Sequence, residues 1–168
     1  MNVSRFCVFS LYPIWPMIEQ IGKQREEQKR KFQSSRLWRG ENSTHIIGIA
    51  GEVIAATVLH QQIDIELNIR GDNGSDLWGN IDVKTSSYWP PILKHPVNSK
   101  HWPDYFCLVY FNEKKQHGCF IGMVTKDALK NGTIQQFGEG KPLNYTLTME
   151  EVDRLNVAKE PSRWKKQI

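Results

Sequence analysis

The pattern of apolar and polar positions along the chain predicts elements in the order α, α, β, β, β, β, α. Residues 17–38 contain one glycine and no proline and are rich in Glu, Gln, Lys and Arg, which is typical of a polar helix. The segment THIIGIAGEVIAATVLHQQ is apolar on nearly every side and predicts a buried helix that Ser43 or Thr44 can cap. Both helices precede the predicted strands.

The central part of the chain has the pattern of a β-sheet. DIELNI alternates polar and apolar residues and predicts a strand, which the turn RGDNGS connects to a hairpin in GSDLWGNIDVKTSS. The apolar segments DYFCLVYF and GCFIGMV, joined by polar NEKKQH, predict two interior strands. TKDALKNG and TMEEVDRLN each begin with a threonine that can cap a short helix. We therefore predict one α/β domain over residues 17–168, preceded by a loosely attached extension, residues 1–16.

Positive charge is concentrated in two parts of the chain. The 168-residue chain has a net charge of +4, and residues 18–40 alone hold seven basic and three acidic side chains. A second basic run, AKEPSRWKKQ, lies near the C-terminus. Such clusters are usually solvated surface, but on either side of an acidic site they fit a polyanionic substrate. In the first cluster, the residues expected to contact nucleic acid are Lys29, Arg30, Lys31, Arg36 and Arg39.

Cysteine spacing and hydropathy restrict the class of protein. The three cysteines are widely spaced, Cys107 and Cys119 lie inside apolar runs, and no Cys or His spacing is typical of zinc. These features predict a reducing, cytoplasmic location. No apolar run approaches the length of a transmembrane helix, so we expect no membrane association.

The predicted hairpin carries acidic residues, which strands disfavour. If residues 79–80 formed a two-residue loop, Asp76 and Asp82 would lie on opposite faces of the hairpin. If residues 78–80 form a three-residue loop, Asp76 lies directly across from Asp82 on one face. Glycine and asparagine, which end this loop, both tolerate the positive φ that it requires.

The three-residue loop also gives the following strand two distinct faces. In that register Leu77 pairs with Ile81. Because side chains alternate along a strand, Ile81 and Val83 point into the core, whereas Asp82 and Lys84 point outward. The strand therefore presents an acidic pair with a lysine on its polar face.

Neighbouring carboxylates repel each other unless they share a proton or a cation. Hard oxygen ligands beside a lysine favour Mg²⁺ or Mn²⁺, so the predicted ligands are Asp76, Asp82 and the carbonyl of Val83. Glu52, the only acidic residue of the apolar helix, is a further candidate ligand. A buried Glu52 fits an ion pair or a hydrogen-bonded core carboxylate equally well, and periodicity does not decide between these alternatives.

Taken together, GIAGEVIAATVL, GSD, IDVKTSS, DYFCLVYF and GCFIGMVTKDAL resemble the PD-(D/E)xK nuclease superfamily, which has the restriction-endonuclease-like fold. The resemblance covers about residues 44–130 and implies an α/β core with a four-stranded mixed β-sheet flanked by helices. It implies catalytic roles for Glu52 as the helix acid, Asp76 as the first strand acid, and Asp82 with Lys84 as the acid-x-Lys pair. The implied activity is Mg²⁺-dependent endonucleolytic hydrolysis of phosphodiester bonds, with DNA as the expected substrate.

Further contacts to nucleic acid are expected after this strand. Thr85 and Ser86 can donate hydrogen bonds to phosphates, although ordinary strand hydroxyls explain them equally well. WPPILKHPVNSKHWP, residues 89–103, predicts a long loop whose aromatic residues, Lys94 and Lys100 suit nucleic-acid contact. Packing of its two tryptophans onto the sheet is the slightly favoured alternative.

Two other classes of function stay open at this point. A catalytically inactive nucleic-acid-binding protein of the same fold would use the basic helix, although the full set of four site residues argues against lost catalysis. A structural partner protein would use residues 17–38 as the arm of a homodimer. The apolar face of that helix is too weak for a long coiled coil.

Overall fold

The structure is a computed structural model and describes residues 7–32, 43–62 and 75–159. The helices are α1 (Trp15–Phe32), α2 (Ser43–Leu59), α3 (Lys126–Lys130) and α4 (Met149–Arg154). The strands are β1 (Val8–Ser10), β2 (Ile81–Ser86), β3 (Ile92–Pro96), β4 (Tyr105–Asn112), β5 (His117–Thr125), β6 (Thr133–Gln136) and β7 (Leu143–Thr148). The predicted strand DIELNI lies outside the described residues.

The strands form two sheets. A mixed four-stranded sheet has the order β1-β5-β4-β2, in which β2 is parallel to β4 and the other neighbours are antiparallel. Strands β3, β7 and β6 form a second, antiparallel sheet. The prediction of an α/β chain with a four-stranded mixed sheet is confirmed, whereas β1 and the second sheet were not predicted.

The four-stranded sheet is covered on both faces. One face packs against α1 and α2 through an apolar cluster that includes Ile54, and the other packs against the second sheet, α3 and α4 through a cluster that includes Leu93. β4 and β5 are interior strands, as their sequences predict, and Cys107 and Cys119 lie buried in them as free thiols. None of the helices in the described ranges is long and apolar enough to span a membrane.

Residues 7–16 are part of the fold, which corrects the prediction of a loosely attached extension. Val8–Ser10 pairs antiparallel with β5. Trp15 is buried, and its ring stacks on that of Phe111 with the centroids 5.6 Å apart. Helix α1 consequently begins two residues earlier than predicted, and Pro16 lies in its first turn, where the missing amide hydrogen costs nothing.

The segment 89–103 also differs from the prediction, because it contains β3 rather than only a loop. Leu93 and His95 point inward and are buried, whereas the residues that alternate with them are exposed. A five-residue strand that ends in a proline and follows two others has only a weak period-two signal. Strand β3 contacts β2 and β4, so it covers the face of the four-stranded sheet opposite to α2.

Two glycines allow α1, α2 and β2 to lie close together. A Cβ added at Gly22 of α1 would come within 2.6 Å of the Cγ1 atom of Ile46 on α2. A Cβ added at Gly51 of α2 would overlap the Oγ1 atom of Thr85 on β2. This close packing brings one turn of α1, one turn of α2 and strand β2 into contact, and those are the elements that carry the acidic and basic residues considered below.

The close approach at Gly51 can be tested by stability. Gly51→Ala is expected to lower the free energy of unfolding by about 1–3 kcal/mol, because it forces an atom into a packed contact. Gly48 of the same helix has open space around its Cα, so Gly48→Ala should be neutral or stabilising by up to about 1 kcal/mol. Urea unfolding followed by far-UV circular dichroism measures both variants. Equal stabilities would contradict the close approach.

Candidate active site

The predicted three-residue hairpin loop is confirmed. Leu77 and Ile81 form an isolated antiparallel bridge, and residues 78–80 form the turn between them. Gly79 and Asn80 have φ angles of 84° and 56°, in the left-handed region that these residue types tolerate best. The register inferred from the sequence therefore holds at this turn.

Hydrogen bonds fix the loop to its surroundings. The carbonyl oxygen of Asn80 accepts from the backbone amides of Asp104 and Tyr105, at 3.0 and 3.3 Å. The Nδ2 atom of Asn80 donates to Oδ2 of Asp104 at 3.0 Å, and its Oδ1 accepts from the hydroxyl of Ser75 at 2.9 Å. The turn that precedes β2 is thus held from both sides.

Asp76 lies beside the outer edge of β2. Its Oδ2 atom accepts a hydrogen bond from the backbone amide of Val83 at 2.6 Å, and its own amide donates to the carbonyl of Ile81 at 2.8 Å. The amide and carbonyl of one residue in a strand point to the same side. The carbonyl of Val83 therefore points to the same edge as the Asp76 carboxyl, as expected of two groups that share a ligand.

Asp82 forms a close ion pair with Lys84. The ammonium nitrogen of Lys84 lies 2.9 Å from Oδ1 and 2.7 Å from Oδ2 of Asp82. Asp82 is only 8% exposed, which corrects the expectation that it points outward to solvent. The reason is β3, since its inward residues, Leu93 and His95, cover the face of the sheet that was expected to be solvated.

Glu52 pairs with an arginine of α1. Its Oε1 atom accepts a hydrogen bond from Nη1 of Arg25 at 2.9 Å, and Glu52 is 6% exposed. Of the alternatives left open by the sequence, the structure contains the ion pair. Arg25 was counted in the basic cluster but was not selected as a site residue, because a contact between residues 27 positions apart leaves no local pattern.

The electrostatic environment of Asp76 includes the charges of the other two acidic residues. The pKa of Asp76 is raised from 3.8 to about 7, first because its carboxyl group is removed from water and then because Glu52 and Asp82 place negative charge near it. The Val83 amide and the charge of Lys84 act in the opposite direction. The charges of Glu52 and Asp82 therefore both reach Asp76, whose carboxyl lies beside β2.

The site fits a divalent cation only in part. Within the described residues, no group of three His, Cys, Asp or Glu side chains is arranged ready to hold a metal ion. Mg²⁺ usually keeps several waters and binds proteins through one or two carboxylates together with substrate phosphates. Asp76 and the Val83 carbonyl suit that mode, because they share one edge of β2. The raised pKa of Asp76 arises first from burial and then from the negative charge of Glu52 and Asp82, which a cation would offset. Asp82 and Glu52 could take part only by loosening their contacts with Lys84 and Arg25.

Neither of the two hydroxyl residues that follow the acid-x-Lys pair points freely into solvent. Thr85 packs against a helix, and Ser86 forms local hydrogen bonds. The Oγ1 atom of Thr85 is buried against Gly51 of α2 and has no hydrogen-bond partner among the described residues. It is therefore not placed to meet a phosphate, which corrects the first expectation. The hydroxyl of Ser86 donates to the carbonyl and accepts from the amide of Tyr88, both at 3.1 Å.

The lysines of the segment 89–103, Lys94 and Lys100, are both exposed. Lys94 points away from the four-stranded sheet, and its ammonium lies 5.1 Å from the centroid of the Phe137 ring. The second sheet thus separates Lys94 from β2, and Lys100 is exposed after β3. The side chains of Lys29, Arg30 and Lys31 and the whole of Arg36 and Arg39 lie outside the described part of the chain.

The tryptophans of the same segment pack onto the fold, which confirms the favoured alternative. Trp89 contacts the Tyr110 ring edge-on, with centroids 5.0 Å apart. Trp102 lies between His95, at 4.5 Å, and Lys130, whose ammonium is 4.6 Å from the indole centroid. The sequence around the two tryptophans did not indicate which residues their rings would contact.

His95 is a buried histidine beside the acidic pair that the sequence did not single out. Its Nε2 atom donates to the carbonyl of His101 at 3.1 Å, whereas Nδ1 has no hydrogen-bond partner among the described residues. Burial lowers the pKa of His95, and the charges of Lys84 and Asp82 act on it in opposite directions. His95 therefore lies near enough to Asp82 and Lys84 for their charges to act on its ring.

Comparisons of the chain with protein-family models, with curated proteins and with solved structures found no match.

Proposed function

We propose that the chain is a metal-dependent nuclease, with Mg²⁺ or Mn²⁺ as cofactor and DNA as substrate, on a restriction-endonuclease-like core. The observation that carries the proposal is the electrostatic coupling of Glu52, Asp76 and Asp82 beside Lys84. Two positions support the resemblance, because the helix acid lies on α2 and the acid-x-Lys pair lies on β2, whereas Asp76 lies in a bend next to the bridge between Leu77 and Ile81.

The proposed chemistry divides between the cation and the side chains. A bound divalent cation supplies charge to the scissile phosphate and lowers the pKa of an attacking water. The carboxyl of Asp76 and the carbonyl of Val83 offer oxygen ligands at one edge of β2, and Asp82 offers more once Lys84 turns away. The ammonium of Lys84 would then orient the attacking water and offset negative charge on the phosphate, and only its neutral amine form could accept the proton of the water.

Substrate affinity in this proposal comes from positive charge around the acidic site. Helix α1 leads from the contact with Glu52 into the basic segment that contains Lys29, Arg30 and Lys31. Contacts from these residues, Arg36 and Arg39 to phosphates would hold nucleic acid without reading its sequence. A site on an outer strand of the described sheet, next to a basic helix, suits an endonuclease, which must accept a chain that extends past the site in both directions.

Incubation of the purified protein with supercoiled plasmid tests the proposal. We expect nicked and linear products with Mg²⁺ or Mn²⁺ and none with EDTA. Asp82→Asn should abolish most of the cleavage and weaken Mg²⁺ binding in calorimetry, because an amide oxygen is a poorer ligand than a carboxylate. Asp127→Asn, which removes the same charge from an exposed position on α3, is the matched control and should cleave like wild type.

The second candidate function is a nucleic-acid-binding protein without catalysis. The observation that favours it is that both Glu52 and Asp82 are already engaged by cations of the chain itself. In that case the plasmid would be bound and retarded in a gel but never cut, and calorimetry would detect no divalent cation at the acidic site. DNA or RNA that stays intact with both metal ions would therefore reject the nuclease in favour of this candidate.

A further inference from the structure

Arg25 lies at the point where α1 meets the candidate site. Its Nη1 atom is 2.9 Å from Oε1 of Glu52, and the side chain of Arg25 is 26% exposed, compared with 9% for Glu52. The guanidinium therefore lies between a buried carboxylate and the surface. A guanidinium binds carboxylate and phosphate groups with the same planar fork of N–H donors, so its present partner and a substrate phosphate are chemically interchangeable.

The charge balance of the site limits how a phosphate can approach. In the described part of the chain, Glu52 pairs with Arg25 and Asp82 pairs with Lys84, whereas Asp76 accepts from a backbone amide, so ionised Asp76 adds negative charge beside the two ion pairs. A phosphodiester is repelled by such a site. A divalent cation among the carboxylates would offset this negative charge, and its own charge would also repel the guanidinium from Glu52.

We propose that Arg25 is a phosphate-binding residue, which holds Glu52 in the protein alone and exchanges it for a phosphate of the nucleic-acid substrate. The inference rests on the proposed function, and it extends that function to α1, on which the resemblance assigns no residue. Arg25 also links the acidic site to the basic segment of α1, because the helix continues from Arg25 towards Lys29. A nucleic-acid chain bound along α1 would reach the carboxylates at Arg25.

Glu52→Gln separates this role from simple neutralisation of Glu52. The amide removes the charge that Arg25 contacts at this position, so a role of Arg25 limited to neutralising Glu52 is lost in the Glu52→Gln background. A phosphate-binding Arg25 becomes more available in the same background. The effect of Arg25→Gln is therefore measured in the Glu52→Gln protein, where no buried carboxylate is left without a partner at this position and circular dichroism confirms folding.

The experiment measures binding of a fluorescein-labelled DNA duplex by fluorescence anisotropy in EDTA, so it does not depend on cleavage. Adding Arg25→Gln to Glu52→Gln should weaken binding about tenfold, as expected for one charge-assisted contact. The slope of the logarithm of the affinity against the logarithm of the salt concentration should become shallower by the amount expected for about one lost phosphate contact. Lys23→Gln in the same background is the matched control, because Lys23 is an exposed cation on the same helix, and it should change binding by less than about twofold.

Two results would overturn the inference in distinguishable ways. If Arg25→Gln and Lys23→Gln weaken binding equally, Arg25 contributes only general charge, and the proposed nuclease activity is untouched. If neither wild type nor Glu52→Gln binds the duplex, the proposed substrate is wrong and the inference fails with it.

Discussion

Replacing Lys84 by alanine is expected to lower the rate of plasmid cleavage by roughly 10²–10⁴-fold, the range typical for loss of a positioned acid–base group. Lys84 contacts both oxygens of Asp82, and in the proposed nuclease its ammonium offsets the charge that develops on the phosphate. Alanine removes that charge and the donor that orients water. Single-turnover cleavage with saturating Mg²⁺ measures the effect on chemistry rather than on binding.

The structure adds an effect on stability that the sequence did not predict. A lysine on a solvated strand face contributes little to folding, but Lys84 is the counter-ion of an Asp82 that is 8% exposed. Without Lys84, the free energy of unfolding of the metal-free protein should fall by about 1–3 kcal/mol. This loss is smaller than that expected for a fully buried pair, because Lys84 is 38% exposed. The Lys84→Ala/Asp82→Asn double variant should recover much of this stability but none of the activity.

Lys126→Ala is the matched control for Lys84→Ala. Lys126 is similarly exposed, at 34%, and pairs with Asp104 at 3.6 Å. Its loss should leave both cleavage and stability near wild type. Equal cleavage rates for the two alanine variants would show that Lys84 only neutralises Asp82 and takes no part in the chemistry.

The parts of the site that were predictable are those set by local rules. Alternation along a strand and the positive φ of Gly79 and Asn80 determine which residue faces which, so the register of Leu77 and Ile81 followed from a short stretch of sequence. The caps of α3 and α4 were predictable for the same reason, since Thr125 and the Thr148 capping box lie within three residues of the groups that they bind.

The parts that were not predictable depend on contacts between distant segments. Nothing near Glu52 indicates that Arg25 is its partner, because the contact requires α1 and α2 to pack side by side. The burial of Asp82 depends on β3, whose own pattern is too short and too rich in proline to be recognised. The sequence therefore predicted the acidic residues of the candidate site. Of the basic residues that pair with them, it predicted only Lys84.

Asp76→Asn is expected to stabilise the metal-free protein at pH 8 and to have little effect near pH 4. The folded protein holds the proton of Asp76 up to a pH of about 7, whereas the unfolded chain releases it near 3.8. Between these values the folded state binds more protons, so the stability of wild type falls as the pH rises. A pKa difference of this size lowers the free energy of unfolding of wild type by up to about 4 kcal/mol once the pH exceeds both pKa values.

The asparagine variant avoids this loss because it has no proton to release and its amide oxygen can still accept the hydrogen bond from Val83. Urea unfolding in EDTA at several pH values measures the difference between wild type and Asp76→Asn, with the exposed Asp127→Asn as the matched control. The difference should grow from near zero at pH 4 to its full size above pH 7, and Mg²⁺ should reduce it by stabilising only wild type. A difference that does not vary with pH would mean that Asp76 has an ordinary carboxyl environment, and that the three acidic residues do not form one site.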